Sequence, residues 1–179
     1  MLTAGLADEV VVTPSRGEPE DADLVRQAQG GSSQAFEELV VRHGPAVHRY
    51  LAFRLGNDAD AKDALQETLA AAWLALSTLR TPERFRAWLV GIATHKATDC
   101  ARRRLHVVGA ELPATADDTE AVEIREALHR LPHRFREVLV LRYLLELSEV
   151  EAAFVLGVRV GTVKSRSARA RRALAELLS

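Results

Sequence analysis

Five residues near the C-terminus have the types and spacing for polar recognition: Thr162, Lys164, Ser165, Arg166 and Arg169. Arg and Lys give charge-assisted hydrogen bonds to phosphate or to guanine edges, and Ser and Thr hydroxyls reach phosphate or base. A helix must carry them, because Val163, Ala170, Leu174 and Leu177 recur at helical spacing on the opposite side. Arg171 and Arg172 extend the basic face. Upstream, Ser148 and Glu151 have capping-box spacing, which predicts a helix over Glu149–Leu156. That helix carries Val150, Ala152, Ala153, Phe154, Val155 and Leu156. Gly157 suits a left-handed cap, and Thr162 is expected to start the second helix. Two helices joined by a Gly-bearing turn, the second one basic, form a DNA-reading geometry. An ordinary helical hairpin with a solvated basic face has the same periodicity, and spacing alone does not separate the two.

Catalytic chemistry finds no support. The sequence has no phosphate loop, nucleophile elbow, zinc-ligand spacing or paired catalytic carboxylates, so no enzyme, cofactor or metal is expected. No cysteine or carboxylate lies near His43 and His48 at ligand spacing, and His43 reads as a core or boundary histidine. The single cysteine, Cys100, excludes an intrachain disulfide, fits a reducing cytosol, and sits on an apolar face where thiols are usually inert. Trp88 could stack on an unpaired base, but its spacing with Phe85, Leu89 and Ile92 favours the core.

The charge distribution is more informative than the sum. Formal net charge is −1, yet residues 1–38 hold two basic and eight acidic residues. Residues 80–106 hold seven basic and two acidic, and residues 159–179 six basic and one acidic. Two separate basic blocks suit a two-site contact with a polyanion. Hydrophobic residues make up 47% of the chain, enough for packed cores. Ala, Leu and Arg dominate and β-branched runs are few, which favours an all-helical chain. No apolar run approaches ~20 residues, so no membrane insertion is expected. The N-terminus lacks a basic segment followed by an apolar core, so no signal peptide is expected, and the expected location is cytoplasmic.

The elements that position these residues follow in order. Residues 1–20, with Thr13-Pro14-Ser15-Arg16-Gly17-Glu18-Pro19, read as a disordered tail. A short helix over Asp21–Gln29 ends at Gly30-Gly31, and Ser32 or Ser33 caps the next. That helix buries Phe36, Leu39, Val40, His43, Val47, Tyr50, Leu51 and Leu55, with a kink or break expected at Gly44-Pro45. Gly56-Asn57-Asp58 turns into a helix from about Ala59 to Leu79. One of its faces is Ala61, Ala64, Leu65, Thr68, Leu69, Ala72 and Leu76; Asp63, Gln66 and Glu67 form a polar patch on another. Pro82 is expected at the first position of a helix from Glu83 to about Arg104. Its apolar side is Phe85, Trp88, Leu89, Ile92, Ala93 and Cys100; its basic end, Lys96 with Arg102, Arg103 and Arg104, also suits the helix dipole. Residues 107–119 lack a helical stripe, are acidic, and read as a flexible linker. Helices over Glu120–Arg130 and from Pro132, at its first position, to Leu145 lead into the helix-turn-helix. The fold class is all-α: two small helical domains joined by a flexible acidic linker, the second a helix-turn-helix.

The wording of several stretches resembles one family. Leu147-Ser148, Glu151-Ala152-Ala153, Leu156-Gly157-Val158 and Gly161-Thr162-Val163-Lys164-Ser165-Arg166, followed by Arg169-Ala170-Arg171-Arg172-Ala173-Leu174, are similar to region 4 of the extracytoplasmic-function (ECF) sigma factors. Asp58-Ala59-Asp60-Ala61-Lys62-Asp63-Ala64-Leu65-Gln66-Glu67-Thr68-Leu69 with Trp73 resembles their region 2. Phe85-Arg86-Ala87-Trp88-Leu89 with Ile92-Ala93, Asp99 and Arg102-Arg103-Arg104 resembles their −10 segment. Leu131-Pro132, Phe135-Arg136-Glu137-Val138 and Leu141-Arg142-Tyr143 resemble the start of region 4. Response regulators share only the C-terminal part.

The resemblance implies a promoter-specificity subunit of RNA polymerase with no catalysis of its own. Residues 21–106 would be region 2 and 120–179 region 4. Asp63, Gln66 and Glu67 would face the β′ clamp helices, with region 4 near the β flap. Arg80, Thr81, His95, Lys96, Arg102 and Arg103 would contact the −10 element, the loop at Arg80–Pro82 holding a flipped base. Thr162, Lys164, Ser165, Arg166 and Arg169 would meet the −35 duplex. The linker would thread near the polymerase active-site channel. Many members are controlled by an anti-sigma factor, which the resemblance admits as a partner. A free-standing duplex-binding factor is the competing reading; it would need neither the Asp63/Gln66/Glu67 patch nor the −10-like helix.

Three departures from the family pattern stand out. Thr94-His95 occupies a usual Arg-Asn. Ser167 occupies a usual Leu on the buried face between Val163 and Ala170. Glu146-Leu147 lacks the Gly common before the helix-turn-helix. A less stable C-terminal domain is expected, with Ser167→Leu raising the melting temperature.

Overall fold

A computed structural model of the chain describes residues 20–107 and 119–178. The expected tail lies outside the described residues except for Glu20, and the expected linker except for Val107 and Thr119, which are helix ends. Among the described residues the chain is all-α, in eight helices: α1 (Asp21–Gln29), α2 (Ser33–Leu55), α3 (Asp58–Ala75), α4 (Phe85–Val107), α5 (Thr119–Arg130), α6 (His133–Leu139), α7 (Glu149–Leu156) and α8 (Val160–Leu177). No helix among them is long and apolar enough to cross a membrane.

The caps explain most boundaries. Ser32 accepts from the Ala35 amide and Asn57 from the Asp60 amide, starting α2 and α3. Gly56 closes α2 at φ 76°, a conformation that favours glycine. The expected break at Gly44-Pro45 does not occur: α2 runs through Pro45. Its missing amide costs one backbone bond, which burial of Leu39, Val47, Tyr50, Leu51 and Leu55 against α1, α3 and α4 offsets. Pro82 opens a short 3₁₀ turn, Pro82–Arg84, and α4 begins only at Phe85. Pro132 sits at the N-cap of α6, not at its first position, and α6 gives way to a π turn over Val140–Leu144.

The N-terminal helices bury Val25, Leu39, Leu51, Ala61, Ala72, Phe85 and Leu89. Ala87, Val90 and Ala97 of α4 are buried as well, so α4 is covered on more sides than its expected stripe. Trp88 is half-buried against this core, 6.0 Å from Phe85 between ring centroids, which is the core reading of that residue.

The two helical groups pack on each other, and one hydrophobic cluster runs from Leu24 to Ala170. α4 lies against α7, and α2 against the π turn. The Arg86 guanidinium donates to the Leu145 carbonyl. Arg54 on α2 pairs with Glu137 on α6 at 2.6 Å, with both side chains about one-fifth exposed. A relay continues inward: Arg54 donates to the Tyr50 hydroxyl, Tyr50 and Thr94 are 2.9 Å apart, and Thr94 donates to the Val90 carbonyl. Burial pushes the Tyr50 phenol up, which keeps it protonated and able to donate.

Phe53 of α2 stacks on His129 of α5, with ring centroids 5.3 Å apart and planes 20° apart. Arg136 lies 2.9 Å from His129 Nδ1. Partial desolvation, then the charges of Arg136 and Arg125, lower the His129 pKa from 6.5. A base with a depressed folded pKa contributes its full stability above the unfolded value and loses it as pH falls below that value. Thermal stability is therefore expected to drop between about pH 7.5 and pH 5.5, and His129→Phe to flatten that drop. Melting curves across this range check it.

Candidate nucleic-acid interface

The C-terminal pair of helices is built as its capping residues require. Ser148 accepts from the Glu151 amide while the Glu151 carboxylate accepts from the Ser148 amide, a complete capping box. Gly157 closes α7 at φ 63°. α8 starts at Val160, two residues earlier than Thr162, because the Arg159 carbonyl already accepts from the Thr162 and Val163 amides. Small buried residues, Ala152 and Ala153 on α7 with Val163, Ser167 and Ala170 on α8, line the buried faces of the pair.

The other side of α8 carries the predicted cations. Lys164, Ser165 and Arg169 are exposed, and Thr162 and Arg166 half-buried, all in the first three turns. Lys164 Nζ lies 3.6 Å from Glu149 on α7. Ser165 donates to the Thr162 carbonyl at 3.1 Å. Arg171 and Arg172 continue the exposed basic face. Arg166 and Arg169 make no side-chain bond among the described residues, so both are available to an incoming phosphate or base edge.

The second basic group sits on α4 and the loop before it. Arg80 and Thr81 are exposed between a 3₁₀ turn at Leu76–Thr78 and the one at Pro82–Arg84; the Thr81 carbonyl accepts from the Arg84 amide at 2.9 Å. His95, Arg102 and Arg103 are exposed and Lys96 is half-buried. Arg102 is 3.7 Å from Asp99. Thr94, at the departure from the family pattern, turns inward to Tyr50.

The structure divides the polar patch on α3. Asp63 and Gln66 are exposed and make no side-chain bond among the described residues. Glu67 instead faces α4, 3.1 Å from Arg103 and 3.5 Å from Lys96. Spacing along α3 gave no signal of this, because the partners lie on another helix. The same is true of Arg54 and Arg86, whose partners across the seam are remote in sequence. His43 lies 2.6 Å from Asp21, its side chain 13% exposed, as a boundary histidine would be.

Two basic surfaces and one open polar face thus stand on a single chain. Comparison with known proteins decides the family. Residues 39–106 match the model for sigma-70 region 2, and residues 121–174 that for sigma-70 region 4. The chain is 34% identical to the ECF RNA polymerase sigma factor SigM of Mycobacterium tuberculosis over 91% of this chain and 87% of SigM. The chain belongs to the ECF sigma factor family. It is 36% identical to the RNA polymerase sigma factor CnrH of Cupriavidus metallidurans over 89% of this chain and 96% of CnrH. The solved structure of CnrH in complex with the cytosolic domain of CnrY superposes with a TM-score of 0.73, at 35% identity, covering 88% of this chain and 96% of that one. The sigma factor RpoE of Bartonella quintana, in complex with the anti-sigma factor NepR, gives 0.67 at 27% identity, covering 80% and 96%. As an ECF sigma factor the chain binds core RNA polymerase and directs promoter-specific initiation of transcription.

Proposed function

We propose that this sigma factor divides its task among three surfaces. Asp63 and Gln66 dock on the β′ clamp helices, with Glu67 at the edge of that face. Arg80, Thr81, His95, Lys96, Arg102 and Arg103 hold the −10 element. Thr162, Lys164, Ser165, Arg166 and Arg169 read the −35 duplex, in a domain (120–179) that also meets the β flap. Residues 21–106 form the other domain; 1–20 is a tail and 107–119 a linker. The protein acts in the cytoplasm and catalyses no reaction itself. The observation that carries this reading is an open polar face on α3 beside two separate basic surfaces, on α4 and α8; a free-standing duplex binder would need only the last.

An anti-sigma factor is the proposed regulator. An apolar groove of about 530 Å³ lies between Phe53 of the first domain and Ile124, Leu128, Leu139, Val140, Tyr143 and Leu174 of the second. Such a groove fits the apolar face of a helix. The relative RpoE has been solved with a partner of this kind, described as the anti-sigma factor NepR, and CnrH in complex with the cytosolic domain of CnrY.

Asp63→Ala/Gln66→Ala is expected to weaken binding to core polymerase about tenfold, since interface truncations of this type cost around 1 kcal/mol or less each. Titration of labelled protein with purified core measures it. Unchanged affinity would remove the clamp assignment from this face.

A further inference from the structure

Glu67 does not stand with Asp63 and Gln66. Its carboxylate sits between the two helices, with one oxygen 3.1 Å from Arg103 Nη2 and the other 3.5 Å from Lys96 Nζ. Lys96 and Arg103 are seven residues apart, two turns along one face of α4, so a single carboxylate on α3 reaches both. The hydrogen bond from Arg103, then the charges of Arg103 and Lys96, hold the Glu67 carboxyl below the usual range against the opposing effect of desolvation. It is therefore anionic at neutral pH.

A carboxylate that bridges two cations offers them the same kind of charged oxygen acceptor as a nucleic-acid phosphate. A strand approaching Lys96 and Arg103 must displace Glu67 or share the cations with it. We infer that Glu67 is an internal stand-in for a strand phosphate: it positions Lys96 and Arg103 and sets how tightly they hold single-stranded DNA. Its nearest partners are thus within the chain, on α4, although it stands at the edge of the proposed clamp face. The inference rests on the proposed assignment of Lys96 and Arg103 to the −10 strand.

The test is binding of the full chain to a fluorescein-labelled oligo(dT) strand over a series of KCl concentrations, by anisotropy. The proteins compared are the wild type, Glu67→Gln, Lys96→Ala/Arg103→Ala, and Glu37→Gln. Glu37 is exposed on α2 and controls for the change in net charge. Glu67→Gln is expected to tighten binding roughly threefold to tenfold, the scale of an ion-pair competition at a partly exposed site. The salt dependence should steepen by about 0.7 in log–log slope for each cation released. Glu37→Gln should move neither quantity by as much. Equal binding by Glu67→Gln and wild type, including none by either, overturns the inference, as does a rise matched by Glu37→Gln. Core affinity measured alongside gives a second criterion: a fall in Glu67→Gln with oligo(dT) binding unchanged makes Glu67 an ordinary clamp contact. If Lys96→Ala/Arg103→Ala binds oligo(dT) as well as wild type, the −10 assignment itself fails. If that variant loses affinity while Glu67→Gln matches wild type, only the role of Glu67 fails.

Discussion

Arg166→Ala/Arg169→Ala is expected to lower run-off transcription from a cognate promoter about a hundredfold, with core binding unchanged. Each well-formed arginine contact to a base edge contributes about 1–3 kcal/mol, and every 1.4 kcal/mol is a factor of ten. Both side chains project from the first three turns of α8 without an internal partner among the described residues, so neither must break a bond to reach DNA. Lys164 differs, because Glu149 lies 3.6 Å from its ammonium. Lys164→Ala should cost less and show chiefly as a shallower salt dependence, the signature of a phosphate contact. The double variant should melt at the wild-type temperature, since the buried face of α8 is Val163, Ser167 and Ala170. Full transcription from the double variant would remove α8 from promoter reading.

The second large effect concerns stability. Ser167 is 7% exposed, and its hydroxyl has no hydrogen-bond partner among the described residues. Thr68 shows the ordinary solution for a buried helical hydroxyl, donating to the Ala64 carbonyl at 2.6 Å. An unsatisfied buried polar group costs about 1–3 kcal/mol, so Ser167→Ala should stabilise by that order. Glu146 adopts φ 50°, at the position before the helix-turn-helix where the family commonly has glycine. A non-glycine residue there costs about 1 kcal/mol or more. Glu146→Gly recovers this, less the extra backbone entropy of glycine, roughly 0.5–1 kcal/mol. Ser167→Ala/Glu146→Gly should then gain about 2 kcal/mol, or about 4–8 °C in melting temperature for a chain of this size. Ser167→Leu should also raise the melting temperature, by less than alanine, because the small residues of α7 and α8 leave little room for added methyls. No rise in either Ser167 variant would mean that the hydroxyl is satisfied.

Features encoded within a few residues were legible in the sequence. The Ser148–Glu151 capping box, the Gly157 cap and the apolar stripe of α2 each need only local spacing, and each is observed. Ser167 and Glu146 were legible as departures from a pattern, and the structure supplies their cost: an orphan hydroxyl and a left-handed backbone. Pro45 misled because local propensity opposes a helix there, while three neighbouring helices bury its flanks. The seam between the domains was not legible. Arg54 and Glu137 are 83 residues apart, and Arg86 and Leu145 are 59 apart. Nothing in the spacing of either member names the other. The division of the α3 patch was hidden for the same reason, since the two cations that Glu67 meets stand on α4.

The measurement that tests the central claim most directly is run-off transcription on a library of genomic fragments, using purified core polymerase with and without this chain. Discrete start sites should arise only when the chain is present, should share sequence at −35 and −10, and should weaken with Asp63→Ala/Gln66→Ala at limiting core and more strongly with Arg166→Ala/Arg169→Ala. Salt-sensitive binding to duplex DNA by the chain alone, with no association with core and no new start sites, would contradict it.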